Sequence, residues 1–118
     1  MAPMPPFRVA VPLALLLAAG LAAAKGERVE RGRALLAQYQ CGACHAIPGV
    51  PASRGVMAPP LDAWGQRSYI AGRLPNRPEL LARWIVAPQS LVPGTKMPSM
   101  GVSPPEAQAM AAYLMSLE

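Results

Sequence analysis

The residue types best suited to cofactor or redox chemistry lie together in the stretch Cys41-Gly42-Ala43-Cys44-His45. It contains both cysteines of the chain and its single histidine. Two thiols at this spacing could form a disulfide, work as a redox dithiol, contribute to a zinc site, or attach a porphyrin covalently.

The first three chemistries are disfavoured by the rest of the sequence. A structural zinc site needs four ligands, usually two Cys or His pairs, and the chain has no second pair. A redox Cys-x-x-Cys motif normally lies where a strand meets a helix, and we predict no strands here. A disulfide across so short a loop would stabilise the fold little and would leave His45 without a purpose.

The fourth chemistry is the covalent attachment of haem, for which Cys-x-x-Cys-His is a signature. The two thiols can reach the vinyl groups on one edge of the porphyrin, and the adjacent imidazole can bind the iron. We therefore predict one haem c bound through Cys41 and Cys44, with His45 as an axial ligand. A bound cofactor would also complete the core of a small, loop-rich domain.

The second axial ligand must come from another residue type, and methionine is the first candidate. Beyond the N-terminal segment the methionines are Met57, Met97, Met100, Met110 and Met115. The last two fall on a predicted helix, where core packing explains them, and the first lies on the same side as His45. Met97, in the rigid loop 93–98, is our predicted ligand, and Met100 is its rival. Without a methionine ligand the iron would be accessible to water.

The N-terminal segment has the pattern of a secretory signal peptide. Arg8 precedes an uncharged apolar run, Val9–Ala24, that ends in three alanines. The run is shorter than a membrane-spanning helix. We predict that residues 1–24 are a signal peptide and that residues 25–118 are a periplasmic monohaem domain, with an uncleaved membrane anchor as the alternative.

The rest of the chain predicts helices joined by long loops. A weak apolar stripe predicts a helix over residues 27–39, and a second helix is expected between a cap at Asn76 and the stop at Pro88. Ser103-Pro104-Pro105-Glu106 predicts a capping box that starts the last helix. With 15 Pro and 10 Gly in 118 residues and no alternating pattern, the sequence predicts one small all-α domain and excludes large multidomain enzymes.

These motifs resemble those of the class I c-type cytochromes over residues 27–118. The resemblance is carried, in order along the chain, by Cys41–His45, Ala58–Leu61, Trp84, the loop 93–98 and Tyr113-Leu114. It implies the cytochrome c fold, with three to four helices and long loops around one covalently bound haem. Ala58 stands where the family often has Gly before the loop proline.

The resemblance also implies roles for individual residues. The Pro59 carbonyl would accept the Nδ1 proton of His45, which orients the ring and raises its basicity as a ligand. Trp84 would pack near the porphyrin, and Gly32 would let the first helix cross the last against Tyr113. Arg67 would be either a partner of the haem propionates or an ordinary solvated charge.

The implied function is one-electron transfer in the respiratory chain, in a carrier rather than an enzyme. Residues 1–24 contain one of the 11 Lys and Arg residues and none of the 6 acidic ones, so the predicted mature domain has a formal charge of about +4. This charge favours redox partners with an acidic docking surface, such as a terminal oxidase, a quinol-cytochrome c reductase or a dehydrogenase. Lys96 and Arg54 would border the haem edge. The alternatives are a haem subunit of a dehydrogenase or oxidase complex, and a haem enzyme or ligand sensor with a labile sixth ligand. Nucleic acid is not an expected partner.

Overall fold

The computed structural model describes residues 1–118 and is mainly α-helical, which confirms the predicted fold class. Its helices are α1 (Leu13–Gln38), α2 (Pro78–Val86), α3 (Pro88–Leu91) and α4 (Pro104–Met115). Short 3₁₀ turns occupy Cys41–Ala43 and Trp64–Gln66. Two short antiparallel strands, β1 (Tyr69–Ile70) and β2 (Leu74–Pro75), complete the fold.

The core is formed where α4 packs against both α1 and α2. Its buried apolar side chains come from all three helices and include Leu35, Leu36, Leu81, Ile85, Met110 and Leu114. Met110 is completely buried. Removal of these side chains from water is the main favourable contribution to folding.

The crossing of α1 and α4 depends on Gly32. A Cβ atom at this position would overlap the backbone carbonyl of Ala109. The expected role of Gly32 in letting α1 cross α4 is confirmed, because the atoms nearest to such a Cβ all belong to the α4 backbone at Ala109 and Met110. The Tyr113 hydroxyl donates to the carbonyl of Pro48 and secures the loop after the cysteines.

We expect Gly32→Ala to destabilise the fold by about 2 kcal/mol or more, because the helices must separate to admit one methyl group. Gly26→Ala is the matched control, since Gly26 lies in the same helix with no neighbouring atom near the added Cβ. It should leave the stability nearly unchanged, because Gly26 lies just after the predicted cleavage site and at the end of the helix in the mature protein. Urea unfolding measures both variants, and equal midpoints would contradict this description of the crossing.

The start of α4 is tied to the end of α1 through Glu106. The capping box predicted from the sequence is present, with Ser103 and Glu106 each bonding the backbone of the other. The Tyr39 hydroxyl donates to both Glu106 carboxylate oxygens, at 3.0 and 3.2 Å. Hydrogen bonds from Ser103, with a smaller one from Tyr39, lower the pKa of Glu106. The bond to Glu106 raises the pKa of Tyr39.

These shifts predict how stability depends on pH. Folding lowers the pKa of Glu106, so this group contributes to the free energy of unfolding above about pH 4.3, and the contribution is lost as the pH falls through the folded-state pKa. Folding raises the pKa of Tyr39, so this group contributes to the free energy of unfolding below about pH 10, and the contribution is lost as the pH rises through the folded-state pKa. Glu106→Gln should flatten the acid side of a plot of urea midpoint against pH. Glu27→Gln, at an exposed site on α1, should leave that slope unchanged.

Helix α1 begins at Leu13, well before the predicted start near residue 27. Residues 13–24 are almost entirely Leu and Ala, which have high helix propensity, so the helix extends back to the residue after Pro12. The side chains of this first part are exposed and add nothing to the core. No helix combines the length and hydropathy that spanning a bilayer requires. The assignment of residues 1–24 as a signal peptide stays a prediction.

The expectation that the chain forms no strands is wrong for residues 69–75. Tyr69 pairs with Pro75 and Ile70 with Leu74, around a turn in which Ala71 and Gly72 both have positive φ. Strands of two residues are too short to show an alternating pattern in the sequence.

The sequence predicted that Asn76 caps α2, and this prediction is wrong. The N-cap is Arg77, with no side-chain cap, and Pro78 begins the helix. The Asn76 side chain instead accepts from the indole N–H of Trp64 at 3.1 Å and donates to the carbonyls of Trp64 and Arg67 at 3.1 and 3.0 Å. A proline in the first turn removes one of the backbone N–H groups that a cap would satisfy. The side-chain amide of Asn76 is therefore free to form these three bonds.

Candidate functional site

The cysteines lie on a tight turn directly after α1. Gln40 adopts the left-handed conformation, with φ 55°, and reverses the chain into the 3₁₀ turn Cys41–Ala43. The N–H of His45 donates to the Cys41 carbonyl at 3.0 Å and closes the turn. A Cβ at Gly42 would overlap Ser53, so only glycine allows the following loop to pack this closely. One short turn therefore positions both thiols and the imidazole.

Both cysteines are free thiols, and Cys44 is exposed. Burial raises the pKa of Cys41, so this group is a neutral thiol at pH 7. Redox-active Cys-x-x-Cys pairs depend on the opposite shift, a lowered pKa that makes one sulfur a thiolate. No group of three or more His, Cys, Asp or Glu side chains is arranged to hold a metal ion.

The loop after the cysteines supports His45. Backbone N–H groups of Ala58 and Leu61 donate to the carbonyls of Cys44 and Ala46, at 3.0 and 2.8 Å, on either side of the histidine. Between these two bonds, His45 Nδ1 lies 2.7 Å from the Pro59 carbonyl oxygen. A carbonyl can only accept, so Nδ1 carries a proton, and the neutral tautomer that this bond selects has its lone pair on Nε2. His45 is thus prepared to bind a metal through Nε2.

The loop that carries Met97 is fastened at both ends. The Gln89 side chain bonds the backbone of Gly94, at 3.1 Å, and that of Thr95. The Ser99 hydroxyl donates to the Val86 carbonyl at 2.8 Å. These bonds hold the thioether on a rigid segment between α3 and α4.

The methionines differ in burial in a way that bears on the predicted ligand. Met97 is half-buried and packs against the core, whereas Met100 and Met57 are exposed. Met110 is fully buried within α4, in agreement with a packing role. The assignment of Met97 as the sixth ligand, with Met100 as rival, stays a prediction.

The structure places the other predicted site residues as follows. Trp84 is buried in the core on α2. Lys96 and Arg54 are exposed, and neither forms an ion pair. Arg67 is not an ordinary solvated charge, because its Nη2 donates to backbone carbonyls and its guanidinium lies 5.1 Å from the centre of the Trp64 ring.

The sequence analysis missed Trp64 and its network. Trp64 is buried, bonded to Asn76 and covered by Arg67, directly beyond the segment that supports His45. No local pattern connects these residues, since loop residues distant in sequence meet only when the chain folds. A buried tryptophan in an otherwise polar, glycine-containing stretch is the one signal that could have indicated it.

The residues present fit a covalently attached haem. Two cysteines without a disulfide and an imidazole bonded through Nδ1 share one short turn, and a half-buried thioether lies on a second, hydrogen-bonded loop. This donor set matches attachment by two thioether bonds with axial ligation by nitrogen and sulfur.

Comparison with known proteins points to one family. The family model described as Cytochrome c matches residues 29–118. Cytochrome c oxidase subunit 2 of Alkalihalophilus pseudofirmus is 38% identical over 89 residues, which cover 75% of this chain and 25% of that protein. Its counterpart in Bacillus sp. strain PS3 is 37% identical over 83 residues, covering 66% and 23%. The subunit of Bacillus subtilis is 29% identical over 99 residues, covering 80% and 28%. The chain spans about a quarter of the length of these relatives, and no solved structure matches significantly.

Proposed function

The chain belongs to the cytochrome c family, and from this premise we propose that it is a one-electron carrier with a single haem c, serving a respiratory chain. Haem-based electron transfer is supported by the family and by the likeness to oxidase subunits. When bound, the haem supplies an iron that alternates between Fe(II) and Fe(III). The observation that carries the proposal is the single turn that brings together Cys41, Cys44 and His45, whose Nδ1 is engaged by the Pro59 carbonyl.

The residues of the chain have distinct roles in this function. Cys41 and Cys44 would hold the haem, and His45 Nε2 and the Met97 sulfur would be its axial ligands. The bond to Pro59 stops the His45 ring from turning and raises its basicity. The fastened loop keeps the thioether from leaving. With His45 and Met97 as axial ligands, no position on the iron would remain open for a substrate, which favours a carrier over an enzyme.

The proposed setting is outside the cytoplasm, in the periplasm. The support is the apolar segment 9–24, none of whose side chains is buried. Amino-terminal sequencing of the purified protein should begin at Lys25, and a start at the initiator Met would favour the uncleaved anchor. The protein would contact a membrane only in that second case.

The proposed redox partner is a terminal oxidase. The support is the likeness to cytochrome c oxidase subunit 2, together with the positive charge of the chain. A quinol-cytochrome c reductase or a dehydrogenase would be the electron donor. Since each matched relative is about four times longer than the aligned part, a second candidate is that this chain works as a haem subunit within an oxidase assembly. Size-exclusion chromatography after mild solubilisation separates a free monomer from such a complex.

We expect membranes containing a terminal oxidase to oxidise the reduced protein, at a rate that falls steeply as ionic strength rises. Stopped-flow spectroscopy over a series of salt concentrations measures this rate. The reduced protein should not bind carbon monoxide readily, because no axial position is open. Rapid carbon monoxide binding without oxidation by the membranes would indicate a haem sensor or enzyme instead.

A further inference from the structure

The support of His45 rests on two consecutive prolines. Pro59 and Pro60 have no N–H groups, so they cannot be held by donating hydrogen bonds. On one side Ala58 N–H is bonded to Cys44, and on the other Leu61 N–H is bonded to Ala46. Between these two N–H groups the backbone offers only carbonyl oxygens, so hydrogen bonds can hold the segment only by being accepted there.

Both proline carbonyls have a partner. The Pro59 carbonyl faces His45 Nδ1 at 2.7 Å. The Pro60 carbonyl accepts from Arg67 Nη2 at 2.6 Å. A hydrogen bond from a guanidinium is charge-assisted and is stronger than one between neutral groups.

Arg67 is itself held in place by the loop. Its Nη2 also donates to the Asp62 carbonyl at 2.9 Å and lies 3.3 Å from the Asp62 carboxylate. Its guanidinium lies over Trp64, which is fixed in turn by Asn76. The Arg67 guanidinium is thus a planar cation stacked on an aromatic ring, and lysine cannot make the same contacts at this position.

The Arg67 bond is linked mechanically to the His45 bond. The peptide between Pro60 and Leu61 is held at its N–H by Ala46 and at its carbonyl by Arg67. The pyrrolidine ring of Pro60 fixes φ, so a single rotatable angle separates this peptide from the Pro59 carbonyl. Loss of the Arg67 bond would leave this peptide held only through the Leu61 N–H, so the Pro59 carbonyl would be held less firmly against the histidine.

We propose that Arg67 is a positioning residue for the haem ligand: through the Pro60 carbonyl it holds the Pro59 carbonyl against the Nδ1 proton of His45. This inference rests on the proposed function and deepens it. A firm Nδ1–H bond makes the imidazole a stronger donor and favours Fe(III). A weakened bond therefore raises the reduction potential and lets the Nδ1 proton exchange faster with water.

The test uses the reduced holoprotein carrying Arg67→Lys, which keeps the positive charge but loses the planar guanidinium. We expect exchange of the His45 Nδ1 proton, followed by NMR, to become about tenfold faster, the ratio that corresponds to the loss of one hydrogen bond. The reduction potential should rise at the same time. Arg73→Lys is the matched control, since Arg73 is exposed in the β1–β2 turn and its side chain forms no ion pair; both readouts should stay at the wild-type values.

Asp62→Ala provides a second, milder variant should Arg67→Lys not yield folded holoprotein. The exposed Asp62 carboxylate touches only Arg67, so its removal should speed proton exchange by a smaller factor, about two- to threefold. Unchanged exchange and potential in a haem-containing Arg67→Lys or Asp62→Ala protein would overturn the inference while leaving the proposed function intact. Wild-type protein without haem would overturn both.

Discussion

Replacement of both Cys41 and Cys44 by serine is expected to abolish covalent haem attachment completely. A hydroxyl cannot form the thioether bonds, and no other cysteine is present in the chain. Each single replacement should leave one thioether at most, with a shifted absorption spectrum and a lower yield of holoprotein. Haem staining after denaturing electrophoresis measures the covalent fraction.

The control for the double replacement is Ala43→Ser in the same turn. Ala43 is exposed, so the added hydroxyl can be accommodated while both thiols remain. This variant should keep wild-type haem staining. Persistent staining in the double serine variant would show that the two sulfurs are not the attachment points.

The second large effect is expected from Met97→Ala. Loss of a thioether ligand removes a soft donor that favours Fe(II), so the reduction potential should fall from a positive value by on the order of a hundred millivolts or more. The weak far-red absorption band of a bond between methionine sulfur and ferric iron should disappear. The reduced protein should also become able to bind carbon monoxide.

Met100→Ala is the matched control for this variant, because it removes an exposed methionine from the same loop. It should retain the far-red band and a potential close to that of the wild type. If Met100→Ala loses the band and Met97→Ala keeps it, the ligand assignment between these two residues must be reversed. Retention of the band in both would exclude both residues.

The helices that begin with strong local signals were predictable from the sequence. Ser103 and Glu106 form the predicted capping box of α4, and α2 runs over nearly the predicted residues. The reason is physical: capping residues and prolines act on the backbone next to them, so their effect is visible locally. The C-terminal half of α1 was found in the same way, from an apolar stripe that includes Leu35 and Leu36.

Features that depend on the meeting of distant segments were not predictable. The crossing at Gly32 was expected only from the family resemblance, since nothing near Gly32 in the sequence indicates that it meets Ala109. Nothing near Asn76 indicates that its side-chain amide bonds Trp64 and does not cap α2. The β1–β2 hairpin is too short to leave a pattern. The donor set Cys41, Cys44 and His45 could be identified because its members are neighbours in sequence, whereas the role of Arg67 becomes visible only through its bond to the Pro60 carbonyl.

The central claim, a haem bound covalently through the turn after α1, is tested most directly by the intact mass of the purified, fully denatured protein. We expect a mass equal to that of residues 25–118 plus one haem, with the pigment remaining in the protein after extraction with acidified organic solvent. A mass equal to the bare chain, or transfer of the pigment into the solvent, would contradict it.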